Sequence, residues 1–378
     1  MEVSGSGLRP VWAEIDLDAI RANVRAIAVC AAPAAVMAVV KADGYGHGSV
    51  AVARAALDAG ATWLGVALVE EGVVLRDAGI HAPILVLSEP PPAAARSLLE
   101  HALTPVVCTS AGIAALAAAV AASGSSEPLA VHLKVDTGMH RIGCPPAAAV
   151  ALARDVTERP GLLLGGVCTH FAVADEPEDP YTESQLRAFE AVLADLEREG
   201  LRPPIVHSAN SAALITRPDA RFDLVRVGIA VYGIPPAAGL DGRLDLVPAL
   251  SLHARVSFVQ DLPAGERISY GRAYRLDRPT RVAVVPLGYA DGVPRALAAA
   301  HGEVLIGGRR RPIAGTITMD QLMVDVGDDA VEVGDEVVLI GTQGDAEILA
   351  SEWAEKLGTI PYEIVCGIGV RVPRRTRG

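Results

Sequence analysis

At 378 residues the chain is long enough for two domains with sizeable cores, and its 51% hydrophobic content excludes a disordered polymer. A formal net charge of −12 argues against nucleic acid or an anionic membrane as principal partner, since both reward basic patches, and leaves a small molecule as the expected partner. Cys30, Cys108, Cys144, Cys168 and Cys366 are scattered with no C-x-x-C pair, which excludes a zinc ribbon or disulfide framework, predicts no metal and fits a reducing compartment.

The start, "MEVSGSGLRPVWAEID", has no apolar segment behind a basic one, and the Ala-rich "AGIAALAAAVAASG" is too short to span a bilayer, so the expected location is cytoplasmic. From there to about residue 240, short apolar runs alternate with Ala-, Leu-, Arg- and Glu-rich segments of helical period. Eight runs can be counted: "VMAVVK", "WLGVAL", "PILVLS", "LTPVVCT", "LAVHLKVD", "LLGGVCTHF", "PPIVHSAN" and "FDLVRVGI". They predict an α/β fold, a (β/α)8 TIM-like barrel over 12–243, with an open doubly wound sheet as the rival. Beyond residue 243 the character changes to β-rich segments with Gly and Pro turns, such as "RVAVVPLGYADG" and "EVGDEVVLIG", predicting a mainly β C-terminal domain over 244–378 on which residues 1–11 could pack.

In a barrel the active site forms where the strands end, so the polar residues after each apolar run are the ones to collect. The first run ends in Lys41, and a lysine leaving a buried strand tip is partly desolvated, which favours the free amine that attacks carbonyl groups. A solvated loop lysine is the plain alternative. Tyr45 follows in the glycine-rich turn, whose spacing matches no nucleotide-binding fingerprint. The fifth run leads through Asp136 to Arg141, the sixth ends in His170, the seventh gives His207, Asn210 and Ser211, and the eighth gives Arg226 and Gly228. Each has a structural alternative: a surface charge for Arg141, a core imidazole for His170, a helix cap for Ser211, a turn for Gly228. Together they describe a pocket for an anion. Ser211, Gly228 and Ile229 after the last two strands suit a phosphate, and a phosphate opposite a lysine amine is the arrangement that pyridoxal 5'-phosphate requires.

The segments "AVVKADGYGHG", "LKVDTGMHRIG", "THFAVADE", "HSANSAAL", "VRVGIAVYG", "ISYGRAY", "GYADG" and "GTITMDQ" resemble the alanine racemases, and they span both halves of the chain in the expected order. The resemblance implies fold type III, a homodimer with active sites shared between subunits, and interconversion of L- and D-alanine for peptidoglycan synthesis. It implies that Lys41 binds pyridoxal phosphate covalently and acts as base on one face of the substrate Cα. Tyr270, from the second subunit, would be the base on the other. By the same resemblance Arg226 contacts the pyridine nitrogen, His170 links Arg226 to Tyr270, and Arg141 meets the cofactor's phenolic oxygen and the substrate carboxylate. Tyr45, Ser211, Gly228 and Ile229 match the phosphate cradle, while Met319 and Asp320 face the substrate and Tyr289 crowds its side-chain pocket. Lys134 matches a lysine that some members carry as a carbamate, against the plain alternative of a salt bridge. One position departs: where members place a tyrosine before the closing "RVPR", this chain has Val370, which removes a phosphate contact.

Rival functions are a serine or broad-specificity racemase, a pyridoxal phosphate decarboxylase and a non-catalytic cofactor carrier. The β-rich half bearing Tyr270 disfavours the carrier, and Arg226 in place of a carboxylate disfavours the decarboxylase.

Overall fold

The computed structural model describes residues 8–378 and divides into two compact units: Asp18–Gly44 with Ser49–Val247, and the remainder. The first strand, β1 (Val11–Asp16), belongs to the second of these. It pairs antiparallel with one strand near residue 250 and parallel with another at the C-terminus, so its residues are held by the later sheet from both sides. The barrel start drawn at residue 12 from the sequence therefore differs from the observed pairing. An alternating run such as "VWAEID" announces a strand and is silent about which sheet receives it. The segment Tyr45–Gly48 also groups with the later unit, and the break near residue 244 falls instead between Val247 and Pro248. Asn23 holds Val247 to the barrel unit through bonds to its N–H and its carbonyl. Residues 1–7 of the expected N-terminal packing segment lie outside the described residues; Arg9, just beyond them, forks onto Asp291 of its own unit at 2.9 and 2.7 Å.

The barrel unit contains β2 (Ala35–Val39), β3 (Trp63–Val66), β4 (Ile84–Val86), β5 (Thr104–Val107), β6 (Leu129–Lys134), β7 (Leu162–Cys168), β8 (Ile205–His207) and β9 (Leu224–Val227). All eight predicted strands are present, paired in parallel in the order β8-β7-β6-β5-β4-β3-β2-β9. The ring is completed between β8 and β9 by irregular bonds: Asp223 N–H to the Val206 carbonyl at 3.0 Å and Arg226 N–H to the Ala209 carbonyl at 2.9 Å. Met37, Leu85, Val106, Cys168 and Leu224, from five different strands, pack together as the buried plug that makes such a barrel a core rather than a pore. Side chains alternate along a strand, so Arg226 points the same way as Leu224 but one step nearer the strand's C-terminal end.

The second unit adds β10 (Leu250–Arg255), β11 (Phe258–Leu262), β12 (Arg267–Ile268), β13 (Tyr274–Arg275), β14 (Thr280–Val285), β15 (Glu303–Ile306), β16 (Arg309–Pro312), β17 (Leu322–Gly327), β18 (Glu336–Gln343), β19 (Ala346–Ile348) and β20 (Arg374–Arg377). One sheet runs β16-β15-β18-β10-β1-β20 with β19 paired to β18, and a smaller one runs β11-β14-β17. Ile268, Leu276, Val282 and Ala314 form a core around the β12–β13 hairpin. The outermost strands of the large sheet read "RRRP" and "RRTR", a charged edge that resists further strand pairing.

Candidate active site

Lys41 follows β2 and opens a turn in which Ala42, Asp43 and Gly44 have φ of 52, 51 and 61°. A left-handed turn costs an alanine about 1–2 kcal/mol, and such strain persists only where neighbours hold it. Here Ala42 N–H donates to Glu71 Oε1 at 2.7 Å, Ser49 N–H to Asp43 Oδ1 at 2.9 Å, and Gly44 N–H to the Val40 carbonyl at 2.9 Å. The sequence announces a turn here through its glycines, but Glu71, thirty residues away, carries no local sign of its part in fixing the lysine.

Arg226 is buried inside the barrel with neutral acceptors around it. Its Nη1 donates to His207 Nδ1 at 3.0 Å. Its Nη2 reaches the Thr169 carbonyl at 2.7 Å, the Ser208 carbonyl at 2.9 Å and His170 Nδ1 at 3.1 Å. Because a guanidinium only donates, Nδ1 of both imidazoles must be unprotonated, which places each neutral ring's proton on Nε2. Burial pushes His170 well below its ordinary value, and the charges of Arg226, Arg141, Lys134 and Lys41 push the same way. Four cations from three strands or their ends, β2, β6 and β9, therefore act on one imidazole. His207 is likewise depressed, by burial first and then Arg226.

His207 Nε2 in turn contacts His132 Nδ1 at 2.8 Å, a residue the sequence analysis did not single out. Lys134, two residues along β6, is buried and donates to the Leu87 carbonyl at 3.2 Å. Burial pushes its ammonium down; Cys168 opposes this, while Arg226 and Arg141 reinforce it. The neighbouring thiols are no counter-charge, since burial holds Cys108 and Cys144 up at about 12.

Arg141 rides an exposed loop whose shape is set by Asp136, where Oδ1 accepts the Gly138 and His140 N–H groups at 2.9 and 3.0 Å. Burial works against that carboxylate, but the two N–H bonds outweigh it and hold Asp136 below the usual range. The helix Tyr181–Arg198 pins both this loop and the next. Tyr181 donates to the Gly138 carbonyl at 3.1 Å, and Gln185, one turn on, donates to the His170 carbonyl at 3.1 Å while accepting Ala172 N–H at 2.8 Å. Neither residue was legible as a site residue, because each bonds backbone of a loop distant along the chain.

After β8, Asn210 caps the next helix by accepting Ala213 N–H, which is the structural alternative that the sequence had offered for its neighbour. Ser211 instead accepts the Gly228 N–H at 3.0 Å, tying the last two loops together and leaving its hydroxyl proton free to donate elsewhere. Ile229 opens a tight turn, Ile229–Tyr232, so its N–H has no acceptor within that turn.

Within the second unit, Tyr45 is buried beside Tyr362, ring centroids 6.0 Å apart. Burial, with Tyr362 and Cys366, pushes its phenol up, so it remains a donor. Thr316 donates to the Tyr270 carbonyl at 3.0 Å, Tyr289 N–H to the Thr318 carbonyl at 3.0 Å and Ala290 N–H to the Met319 carbonyl at 3.0 Å. Tyr270, Tyr289 and Met319 are thus gathered by one backbone network, yet remain 74%, 43% and 52% exposed. Asp320 is exposed and held by Arg371 at 2.7 Å. Val370 is fully exposed.

Two family models match, "Alanine racemase, N-terminal domain" over residues 15–236 and "Alanine racemase, C-terminal domain" over 249–376. The alanine racemase of Symbiobacterium thermophilum is 52% identical over 371 residues, 97% of each chain, and that of Thermobifida fusca is 50% identical over 96% of each. The chain belongs to the alanine racemase family. Solved members of the family share the architecture: the alanine racemase of a D-cycloserine-producing Streptomyces lavendulae superposes with a TM-score of 0.93 at 44% identity, covering 99% of this chain and 98% of that one. The alanine racemase of Bacillus anthracis with bound L-Ala-P gives 0.92 at 41%, covering 99% and 96%. The fold of this family is the eight-stranded barrel followed by a mainly β unit, as the strand pairing above describes.

Proposed function

We propose that the protein interconverts L- and D-alanine with pyridoxal 5'-phosphate held at the strand ends of the barrel, using Lys41 and Tyr270 as two opposed bases. The observation that carries this reading is a buried arginine at the strand ends, Arg226, bonded to His207, His170 and the Thr169 and Ser208 carbonyls. The donor set of the barrel unit fits the cofactor: cationic side chains for a dianion, and N–H and hydroxyl donors at Ile229 and Ser211 for the phosphate. When bound, pyridoxal phosphate supplies an electron sink that acidifies the substrate's Cα proton.

The chain's own residues do the rest. Lys41 would bind the cofactor covalently and hold or return the proton at one face of Cα. Tyr270 would do so at the other face, and inversion follows because the two protons come from opposite sides. Tyr270 stands largely in solvent within a single chain, which supports its service in the site of a second copy, as a homodimer would allow. Arg226 would meet the pyridine nitrogen as a donor that does not surrender its proton, keeping the ring a weaker sink and limiting side reactions. Arg141 would orient the substrate carboxylate. Met319, through its N–H, and Asp320 would face the substrate, and Tyr289 would leave room for little more than a methyl group. Lys134, depressed and ringed by cations without a counter-ion among its thiol neighbours, suits the carbamate carried by some family members.

We place the enzyme in the cytoplasm, supplying D-alanine for cell-wall synthesis; no helix among the described residues is long and apolar enough to cross a membrane. Borohydride reduction of the holoenzyme and peptide mapping should leave the cofactor on Lys41, and a chirality assay should rank L-alanine above L-serine and L-lysine. Label on another lysine, or a preference for serine, overturns the assignment; apolar pockets reject an added hydroxyl only weakly, so the serine arm is the demanding one.

A further inference from the structure

His132 sits in mid-strand, fully inside the barrel, where an apolar side chain would ordinarily fill the core. Room for its ring is built in. Gly166 is its partner on β7, and a Cβ there would lie 2.6 Å from His132 Nδ1; the ladder between β6 and β7 also shifts register between Val131 and His132. Trp63 covers the ring at 5.5 Å between centroids, tilted by 54°. A space kept open for an imidazole, in contact with another buried imidazole that touches Arg226, calls for a polar explanation, because an unpaired polar group here costs about 1–3 kcal/mol.

The direction of each bond follows from the guanidinium. Arg226 donates to His207 Nδ1, so His207 carries its proton on Nε2, and that proton points to His132 Nδ1 at 2.8 Å. His132 must then accept, which fixes its own proton on Nε2. We infer that His132 is a positioning residue for racemisation: by accepting from His207 it locks the tautomer that receives Arg226 Nη1 and so fixes the angle of the guanidinium inside the barrel. The chain runs Arg226 to His207 to His132, all donors in one direction, with no carboxylate in it. Its members stay neutral apart from the arginine; burial, then Arg226, pushes His132 down to about 4. A carboxylate at the far end would also orient His207, but it would draw positive charge onto that imidazole and away from the arginine's outer face. An imidazole acceptor orients without doing so.

This inference rests on the cofactor reading for its consequence but not for its geometry, and the test separates the two. In protein labelled with nitrogen-15 histidine, His207 should show a protonated Nε2 and a bare Nδ1 before and after pyridoxal phosphate is added. A proton on Nδ1 overturns the proposal whatever the activity. His132→Phe removes the acceptor and keeps a ring; loss of one such bond should speed cofactor release and lower kcat by about tenfold, with KM within about twofold. His132→Asn, whose amide oxygen can stand where Nδ1 stood, should recover most of both. Unchanged cofactor release and kcat in His132→Phe, or no recovery in His132→Asn, would reduce His132 to packing. Should His132→Phe fail to fold, the nitrogen-15 spectrum and the Asn variant decide.

Discussion

The two units solve the problem of holding a reactive side chain in opposite ways. Inside the barrel, Arg226 is surrounded by acceptors on every side, two carbonyls and two imidazoles, and its direction is dictated by residues that are themselves buried. In the β unit, Tyr270 is held through its carbonyl, which accepts from Thr316, whose own carbonyl accepts from Ser269, while its ring stands in solvent. One half of the chemistry is prewired within the chain; the other is presented by it. On the proposed reading, the exposed phenol between β12 and β13 is a base offered to the site of a second copy.

The sharpest way to break this contrast is to remove each base in turn. If Lys41 is both anchor and base, as proposed, Lys41→Ala should lower turnover by roughly ten-thousandfold or more in a chirality assay and abolish the cofactor's lysine-bound absorbance. Tyr270→Phe should slow L-to-D conversion by about a thousandfold with cofactor content intact. Mixing the two inactive variants should restore activity through hybrid dimers; if mixtures stay dead, Tyr270 does not serve a partner's site.

Acid tests the prewired half alone. His132, His170 and His207 all have folded values below that of a free imidazole, so below about pH 6.5 the unfolded chain binds more protons and stability falls with pH. From His132 alone the loss between pH 6.5 and its folded value of about 4 amounts to roughly 3 kcal/mol. Calorimetry from pH 7 to 4 should show the falling midpoint, and His132→Phe should flatten it; a midpoint indifferent to pH would contradict the neutral relay. Gly166→Ala sharpens the same point at smaller scale, costing about 1–3 kcal/mol in a denaturant titration because the new methyl meets His132. The least effect belongs to the presented half: Val370→Tyr, at a fully exposed position, should slow cofactor loss on dialysis a few-fold and leave the unfolding free energy within about 0.5 kcal/mol of unchanged.

How much of this the sequence disclosed depends on distance along the chain. The eight barrel strands were visible because each is a short apolar run, and Lys41, Arg141, His170, Ser211 and Arg226 were visible because each lies at or beyond the C-terminal end of one. His132 was hidden by its setting: in "LAVHLKVD" it occupies an ordinary strand position, and only Gly166 in the neighbouring strand hints that a bulky polar ring needs space. Glu71, Tyr181 and Gln185 were hidden because their partners are backbone groups 13 to 43 residues away, which no local pattern encodes. The membership of Val11–Asp16 in the later sheet is the same failure at the scale of a strand, since pairing partners are chosen by tertiary context.

The cations whose charges reach His170 have a consequence for the protein's lifetime as well as its chemistry. Like charges crowded into a low-dielectric interior repel, and a phosphorylated ligand that neutralises them binds only the folded chain. If that ligand is pyridoxal phosphate, as proposed, chains made during pyridoxal starvation should open more often and meet proteases sooner than loaded ones.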